Sequence, residues 1–131
     1  MHTFQDLGLS PLIIKSVSEL GFETPTPIQE KAIPVLLSGT TDFVGLAQTG
    51  TGKTAAFGLP LLQLIEVEQR FPQALIVCPT RELCLQITND IKHYKKHIAG
   101  VAIEPVYGGA SITMQMRNLK KGVQIVVATP G

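Results

Sequence analysis

Short runs of purely apolar residues alternate with amphipathic stretches along this chain, and few architectures accommodate that alternation. Residues 74–78 read ALIVC and residues 124–129 read QIVVAT, as expected for strands inside a parallel sheet. Two further short strands are predicted at residues 42–47 and 103–107. Because parallel strands need long crossovers between them, the chain is predicted to be an α/β protein whose parallel sheet is sandwiched by helices.

Five helices are predicted from their capping residues and apolar stripes. Ser10–Pro11 and Thr26–Pro27 each combine an N-cap residue with proline at the first helical position. A third helix is predicted from Lys53 to about Val67, and Thr80 and Ser111 are predicted to cap two more. The predicted inward-facing residues of these last two helices are Leu83, Ile87, Ile91, Tyr94 and Ile98, and then Ile112, Met116 and Leu119.

Composition excludes several classes of protein. The chain has 131 residues, 44% of them hydrophobic, which favours a packed core over disorder, and its net charge of +1 gives no global attraction for nucleic acid. Cys78 and Cys84 fit neither a disulfide framework nor a zinc pattern. The polar N-terminus is not a secretory signal, and no apolar run reaches the roughly 20 residues that span a bilayer. A cytoplasmic protein without a membrane partner is therefore predicted.

A glycine-rich segment, AQTGTGKT at residues 47–54, carries the strongest chemical signal. It matches the phosphate-loop pattern at Gly52, Lys53 and Thr54, with Ala47 where the pattern has its first glycine. Gly50 and Gly52 let successive backbone N–H groups turn towards phosphate oxygens. The lysine ammonium reaches the terminal phosphates, and the threonine hydroxyl can bind Mg²⁺. The segment therefore predicts nucleotide binding, but it does not identify the reaction.

The segment GFETPTPIQ at residues 21–29 has two interpretations. Thr26 and Gln29 have the spacing of a helix capping box, which on spacing alone is the favoured interpretation. Alternatively, the Gln29 amide, with one donor and one acceptor group, pairs with adenine and rejects guanine. Phe22 would then stack on the base. The two interpretations are compatible.

Five segments in order resemble the motifs of DEAD-box ATP-dependent RNA helicases. GFETPTPIQ resembles the Q motif, with Phe4 as its upstream aromatic, and AQTGTGKT is similar to motif I in the family's own form, which has alanine first. PTRELCLQ at residues 79–86 resembles motif Ia, with Cys84 where alanine is more usual. Gly108–Gly109 resembles the GG motif, and residues 129–131 resemble the start of motif Ib.

The resemblance implies a RecA-like P-loop NTPase domain that uses ATP and Mg²⁺. Lys53 and Thr54 would be catalytic, with Thr54 next to the metal ion. The implied nucleotide-binding residues are Phe4, Phe22, Thr26, Gln29, Gln48, Thr49, Gly50, Thr51, Gly52, Lys53 and Thr54. The sugar–phosphate backbone of one RNA strand would be held by Pro79, Thr80, Arg81, Gly108, Gly109, Thr129 and Gly131.

The expected organisation is an N-terminal helical part at residues 1–39 and the front of a RecA-like ATP-binding domain, incomplete at its C-terminus, at residues 40–131. No Asp or Glu follows Glu104, so the family's DEAD carboxylates are missing, as is its second RecA-like domain. The expected parent is an RNA-stimulated ATPase that locally unwinds RNA, and this chain alone is expected to be inactive. The alternatives are a stand-alone nucleotide- or RNA-binding module and, less favoured, a small-molecule kinase.

Overall fold

The computed structural model describes residues 3–48, 50 and 52–131, which contain five helices and three strands. They are α1 (Pro11–Glu19), α2 (Pro27–Ser38), α3 (Lys53–Leu64), β1 (Ala74–Val77), α4 (Arg81–Tyr94), β2 (Ile103–Val106), α5 (Ile112–Lys120) and β3 (Ile125–Ala128). The chain divides into two compact units. We call residues 1–64 and 93–98 the helical unit, and residues 65–92 and 99–131 the sheet unit.

The sheet is parallel throughout, as predicted, and its strand order is β1-β3-β2. Ile125 of the central strand lies opposite Ala74 on one side and Ile103 on the other, which fixes the register. The side chains of Ile125 and Val127 are completely buried, as a continuously apolar central strand requires. The resulting fold is an α/β fold in which helices flank a parallel sheet.

The strand predicted at residues 42–47 is not present. The side chains of Val44 and Leu46 are 89% and 93% exposed, and the three described strands pair only with one another. A strand is stable when neighbouring strands satisfy its backbone N–H and C=O groups. Apolar composition alone therefore misassigned this segment, because composition carries no information about pairing.

Two helices end earlier than predicted. Helix α3 ends at Leu64 instead of Val67, and α4 ends at Tyr94, before the predicted last apolar residue, Ile98. The stripe of α4 is otherwise confirmed, since Ile87, Ile91 and Tyr94 are all buried. Helix termini are where sequence patterns are least informative, because the last turn has few intrahelical hydrogen bonds to gain.

The predicted inward face of α5 is wrong for two of its three residues. Ile112 is 73% exposed and Met116 is 52% exposed, whereas Leu119 is half-buried. The face towards β2 is polar instead: Gln115 bonds the backbone of Tyr107, and Asn118 donates to a Glu104 carboxylate oxygen at 3.3 Å. The face of α5 that packs on the sheet is thus formed by polar side chains that have hydrogen-bond partners. The spacing of apolar residues does not show where such partners lie.

The N-terminal segment packs into the helical unit through apolar and polar contacts. Phe4, Leu7 and Leu9 are all buried. Gln63 of α3 holds the backbone of the same segment, accepting from the Ser10 N–H at 2.7 Å and donating to the Gly8 carbonyl at 2.8 Å. The segment that enters α1 is thereby fixed to the helix that follows the glycine-rich loop.

An exposed ionic cluster joins the end of α1 to residues that follow α4 within the helical unit. The carboxylate of Glu19 lies 2.7 Å from His97 Nε2 and 3.3 Å from the Lys96 ammonium. The hydrogen bond with His97 holds the pKa of the Glu19 carboxyl below its usual range. Exposed pairs of this kind contribute little to stability, since water and salt screen them.

Candidate functional site

The glycine-rich loop leads directly into α3, as the phosphate-loop pattern requires. Gly50 and Gly52 have φ of +82° and +79°, a region that strongly favours glycine. Lys53 is the first residue of α3 and is exposed, and Thr54 follows it half-buried. Gln48 is exposed, while the predicted residues Thr49 and Thr51 lie outside the described residues. Lys53, the predicted phosphate-binding lysine, therefore lies at the N-terminus of α3, where a helix presents backbone N–H groups and the positive end of its dipole.

Gln29 connects the start of α2 to this loop. Thr26 and Gln29 pair in a capping box, in which the Thr26 N–H donates to Gln29 Oε1 at 3.0 Å. The same amide donates from Nε2 to the Gly52 carbonyl at 3.2 Å, and its side chain is 2% exposed. The capping interpretation is confirmed. Adenine recognition stays a prediction, and it is chemically compatible because the amide keeps one N–H and one lone pair.

Two local features suit a bound nucleotide. The hydroxyl oxygen of Thr26 faces the Gln29 N–H in the capping box, but that contact lacks standard hydrogen-bond geometry, so among the described residues this buried oxygen has no hydrogen-bond partner. A Cβ at Gly52 would collide with the Gln29 amide nitrogen and lie 3.5 Å from that hydroxyl. An orphaned buried hydroxyl beside a glycine loop is a donor still available for a ligand. These residues therefore fit the triphosphate nucleotide that the sequence predicts.

The two predicted aromatic residues have different surroundings. Phe22 is half-buried, and its ring centroid lies 6.3 Å from that of Tyr94 with the planes tilted by 58°. Phe4 is only 4% exposed and belongs to the apolar core of the helical unit. Phe22 therefore keeps part of its ring available for stacking, whereas Phe4 is placed to support the segment around it. Contact of either ring with a base stays a prediction.

The predicted RNA-binding residues follow the carboxyl ends of the three strands. Val77 and Val106, the last residues of β1 and β2, both lie opposite Ala128, the last residue of β3. The segments after these strands therefore leave from one edge of the sheet, where open α/β folds bind ligands. Those segments contain all seven predicted residues: Pro79, Thr80, Arg81, Gly108, Gly109, Thr129 and Gly131.

Local contacts give this edge a defined shape. The Thr80 hydroxyl accepts from the Leu83 N–H at 3.1 Å, which confirms it as a cap of α4. The Thr129 N–H donates to the Val106 carbonyl at 3.1 Å and extends the ladder by one bond. Exposed positions lead away from the edge: Pro79, Thr80, Arg81, Gly108, Gly109 and Gly131. Exposed backbone amides at a helix start are suited to phosphate oxygens.

Tyr107 is a feature of this edge that sequence reasoning missed. The guanidinium carbon of Arg81 lies over its ring, 5.1 Å from the ring centroid. Gly109, with φ of +85°, would place a Cβ 3.6 Å from an Arg81 Nη atom. The aromatic residue directly before the glycine pair was the available signal, because an exposed arginine commonly stacks on such a ring.

Neither cysteine has the surroundings of a nucleophile. Burial raises the pKa of the Cys84 thiol, with the nearby Cys78 thiol acting in the same direction. Cys84 donates its thiol hydrogen to the Val127 carbonyl at 3.2 Å, so it packs α4 onto the central strand. Among the described residues no group of three or more His, Cys, Asp or Glu side chains is placed to hold a metal ion.

The parallel α/β fold and the glycine-rich loop at the start of a helix define a P-loop protein with a RecA-like fold. The DEAD/DEAH box helicase family matches residues 26–131. The chain therefore belongs to the DEAD/DEAH box helicase family. In the described part of the chain, no helix is long and apolar enough to cross a membrane.

Relatives and solved structures agree with this assignment. The chain is 52% identical over 129 residues to the ATP-dependent RNA helicase DeaD of Haemophilus influenzae, covering 98% of this chain and 21% of that protein. It is 50% identical to the protein of the same name from Escherichia coli K12, with 98% and 20% covered. The chain thus spans about a fifth of the length of these curated relatives.

Two solved structures have the same fold. A DEAD box protein from the hyperthermophile Methanococcus jannaschii superposes with a TM-score of 0.92 at 40% identity, covering 98% of this chain and 35% of that one. The RNA-helicase Prp28 from Chaetomium thermophilum, bound to ADP, gives 0.89 at 41% identity, with 100% and 33% covered.

Proposed function

We propose that this chain binds ATP in its helical unit and the backbone of RNA in its sheet unit, as part of an ATP-dependent RNA helicase. The observation that carries the nucleotide assignment is the contact of Gln29 with the Gly52 carbonyl at 3.2 Å. It joins the segment expected to select adenine to the loop expected to hold phosphates. The family and the ADP in the Prp28 structure support the same assignment.

Each nucleotide-binding residue has a separate role in this proposal. Backbone N–H groups of the loop and the positive end of α3 hold phosphate oxygens. The Lys53 ammonium neutralises the terminal phosphates, and the Thr54 hydroxyl binds Mg²⁺, which supplies Lewis-acid polarisation of the phosphate oxygens when present. Gln29 and Phe22 select the base, and the unpartnered Thr26 hydroxyl hydrogen-bonds the nucleotide.

RNA binding is proposed at the sheet edge described above. The guanidinium of Arg81 suits a phosphate because its N–H donors form two parallel bonds to it. Backbone amides around Thr80 and at the glycine pair add further donors. Because these contacts go to sugar and phosphate, we expect little sequence preference. Thr129 and Gly131 are proposed to hold the same strand.

The parent protein is proposed to couple these two events in the cytoplasm. ATP and RNA would bind across this region and a second RecA-like domain, and closure would separate a few base pairs before phosphate release reopens the cleft. Hydrolysis needs a carboxylate on the metal and a residue that positions water. Since no Asp or Glu follows Glu104, we expect no RNA-stimulated phosphate release from the 131-residue chain itself.

A competition experiment tests the base assignment. ATP and GTP each displace a fluorescent ATP analogue from the chain and from Gln29→Ala. We expect the chain to prefer ATP by about tenfold or more, and the variant to lose most of that preference. Gln63→Ala is the matched control, because Gln63 holds the N-terminal segment instead of the loop. Unchanged preference in Gln29→Ala would leave Gln29 as a helix cap only.

A further inference from the structure

We propose that Tyr107 is a positioning residue for RNA binding, whose ring holds the Arg81 guanidinium ready for a phosphate. This inference rests on the proposed RNA-binding function of the sheet edge. Tyr107 is not among the residues that the motifs identify, and it touches Arg81 without itself needing to touch RNA. Four observations on the sheet unit support the assignment, and each concerns a different part of the arrangement.

The first observation is the stacking itself. The Arg81 Cζ atom lies 5.1 Å from the centre of the Tyr107 ring, within the roughly 6 Å over which a cation is attracted to an aromatic face. Arg81 is exposed and begins α4, so without the ring its long side chain would sample many rotamers. The ring lies on one side of the guanidinium, so N–H donors that point away from the ring stay available for phosphate oxygens.

The second observation is that the backbone of Tyr107 is held on both sides by one amide. Gln115 Oε1 accepts from the Tyr107 N–H at 3.2 Å, and Gln115 Nε2 donates to the Tyr107 carbonyl at 3.0 Å. Tyr107 follows the last residue of β2 and so has no place in the described ladder. The amide therefore continues the restraint that the sheet provides up to Val106, and it fixes the direction in which the ring leaves the chain.

The third observation concerns the helix that carries Gln115. The Ser111 hydroxyl caps α5 by accepting from the Met114 N–H at 3.2 Å, and Met114 directly precedes Gln115. A capped first turn frays less, so the amide stays in reach of Tyr107. The sequence pattern predicted an apolar inward face for α5. The polar face found there holds the backbone of Tyr107 through Gln115.

The fourth observation is the absence of a side chain at Gly109. A Cβ there would contact an Arg81 Nη atom at 3.6 Å, and φ is +85°. The glycine therefore brings bare backbone close to the guanidinium. A phosphate that binds Arg81 would approach the same backbone, as contacts to the glycine pair require.

RNA affinity of the 131-residue chain tests the proposal. Fluorescence anisotropy of a 5′-labelled oligouridylate of twelve nucleotides is measured over a series of NaCl concentrations. We expect Tyr107→Phe, which keeps the ring, to bind within about twofold of the unmodified chain. We expect Tyr107→Leu, which keeps apolar bulk without a ring, to bind about three- to tenfold more weakly. Urea midpoints confirm that each variant is folded.

A double-variant cycle separates positioning from direct contact. Arg81→Ala is expected to weaken RNA binding and to reduce the salt dependence by about one phosphate contact. In that background Tyr107→Leu is expected to have no further effect, since the group it positions is gone. Tyr107→Leu alone should keep the salt slope, because the charge of Arg81 remains. A further loss in the Arg81→Ala background would show that Tyr107 contacts RNA itself and would overturn the positioning role.

The remaining outcomes distinguish the inference from the proposed function. If Arg81→Ala binds RNA like the unmodified chain, the assignment of Arg81 to RNA fails, and the inference fails with it. If Arg81→Ala weakens binding and Tyr107→Leu does not, only the positioning role fails. Should Tyr107→Leu not fold, Arg81→Lys replaces it, because Arg81 is exposed. Equal affinity of Arg81→Lys would show that a guanidinium at this position is not needed, which also overturns the inference.

Discussion

The candidate sites of the two units are held together by different kinds of contact. In the helical unit, a helix cap and a glycine loop sit next to each other through one buried amide, Gln29, so the candidate nucleotide site is assembled from two short sequence motifs. In the sheet unit, the candidate RNA site depends on strand register, which aligns the ends of β1, β2 and β3. Local motifs therefore define the first site, and long-range pairing defines the second.

The largest expected effect concerns Gln124, the buried amide of the sheet unit. Its oxygen accepts from the Ala102 N–H at 2.8 Å, and its nitrogen donates to the carbonyls of Val67 and Gly100 at 3.0 and 2.9 Å. Gln124→Leu leaves all three backbone groups without this partner, so we expect a loss of about 2–4 kcal/mol in unfolding free energy. Urea denaturation measures it, with the exposed Gln86→Leu as the control.

Under conditions where the chain is folded, we expect Gln124→Leu to weaken RNA binding and to keep ATP affinity. That result would show that the two sites depend on separate structural supports. Equal losses for RNA and ATP would mean that the two sites do not depend on separate structural supports. A change below about 0.5 kcal/mol, the level usual for surface substitutions, would contradict the structural role assigned to this amide.

Lys53→Ala is the matching change in the helical unit. We expect ATP affinity to fall by about ten- to a hundredfold, because a charge-assisted hydrogen bond of about 1.5–3 kcal/mol is lost. Titration calorimetry measures this, and Lys15→Ala, an exposed lysine of α1, is the control. RNA affinity at the sheet edge should be unchanged, and a comparable loss for RNA would break the separation of the two sites.

Ser111→Ala has a smaller expected effect. Removing the hydroxyl that caps α5 should lower the unfolding free energy by about 1 kcal/mol. The midpoint of urea denaturation reports it, and Ser18→Ala in the exposed part of α1 serves for comparison. An unchanged midpoint would mean that the Ser111 cap does not stabilise α5. The cap could then not be counted among the features that hold Gln115 next to Tyr107.

The smallest expected effect is the pH dependence of the Glu19 cluster. Because the hydrogen bond with His97 lowers the pKa of Glu19 in the folded state, the carboxylate stabilises the fold above its unfolded pKa. That contribution is lost as the pH falls through the lower, folded pKa. Thermal denaturation between about pH 7 and pH 3 should therefore show a slightly smaller decline for Glu19→Gln. Parallel curves would show that the cluster does not stabilise the helical unit.

Sequence reasoning succeeded where the signal is local. The capping box of α2, the glycine loop before α3 and the apolar strand β3 are all in place, because cap chemistry, positive φ and continuous hydrophobicity are written in consecutive residues. It failed at residues 42–47 and on the face of α5. Both depend on partners outside the segment itself: a strand needs a neighbour, and the polar face of α5 needs Glu104 on β2 and the backbone of Tyr107, which follows β2.

The missing side chain at Gly52 has a consequence for which substitutions this chain tolerates. Any Cβ at that position would push the Gln29 amide away, in addition to straining a backbone with positive φ. A single methyl group would therefore disturb the segment expected to read the base and the loop expected to hold the phosphates. Genetic variation at this glycine should be rarer than at Gly50, where no described residue other than the chain neighbours comes within 4 Å of the added carbon. Selections for altered base preference should therefore yield no variants substituted at Gly52.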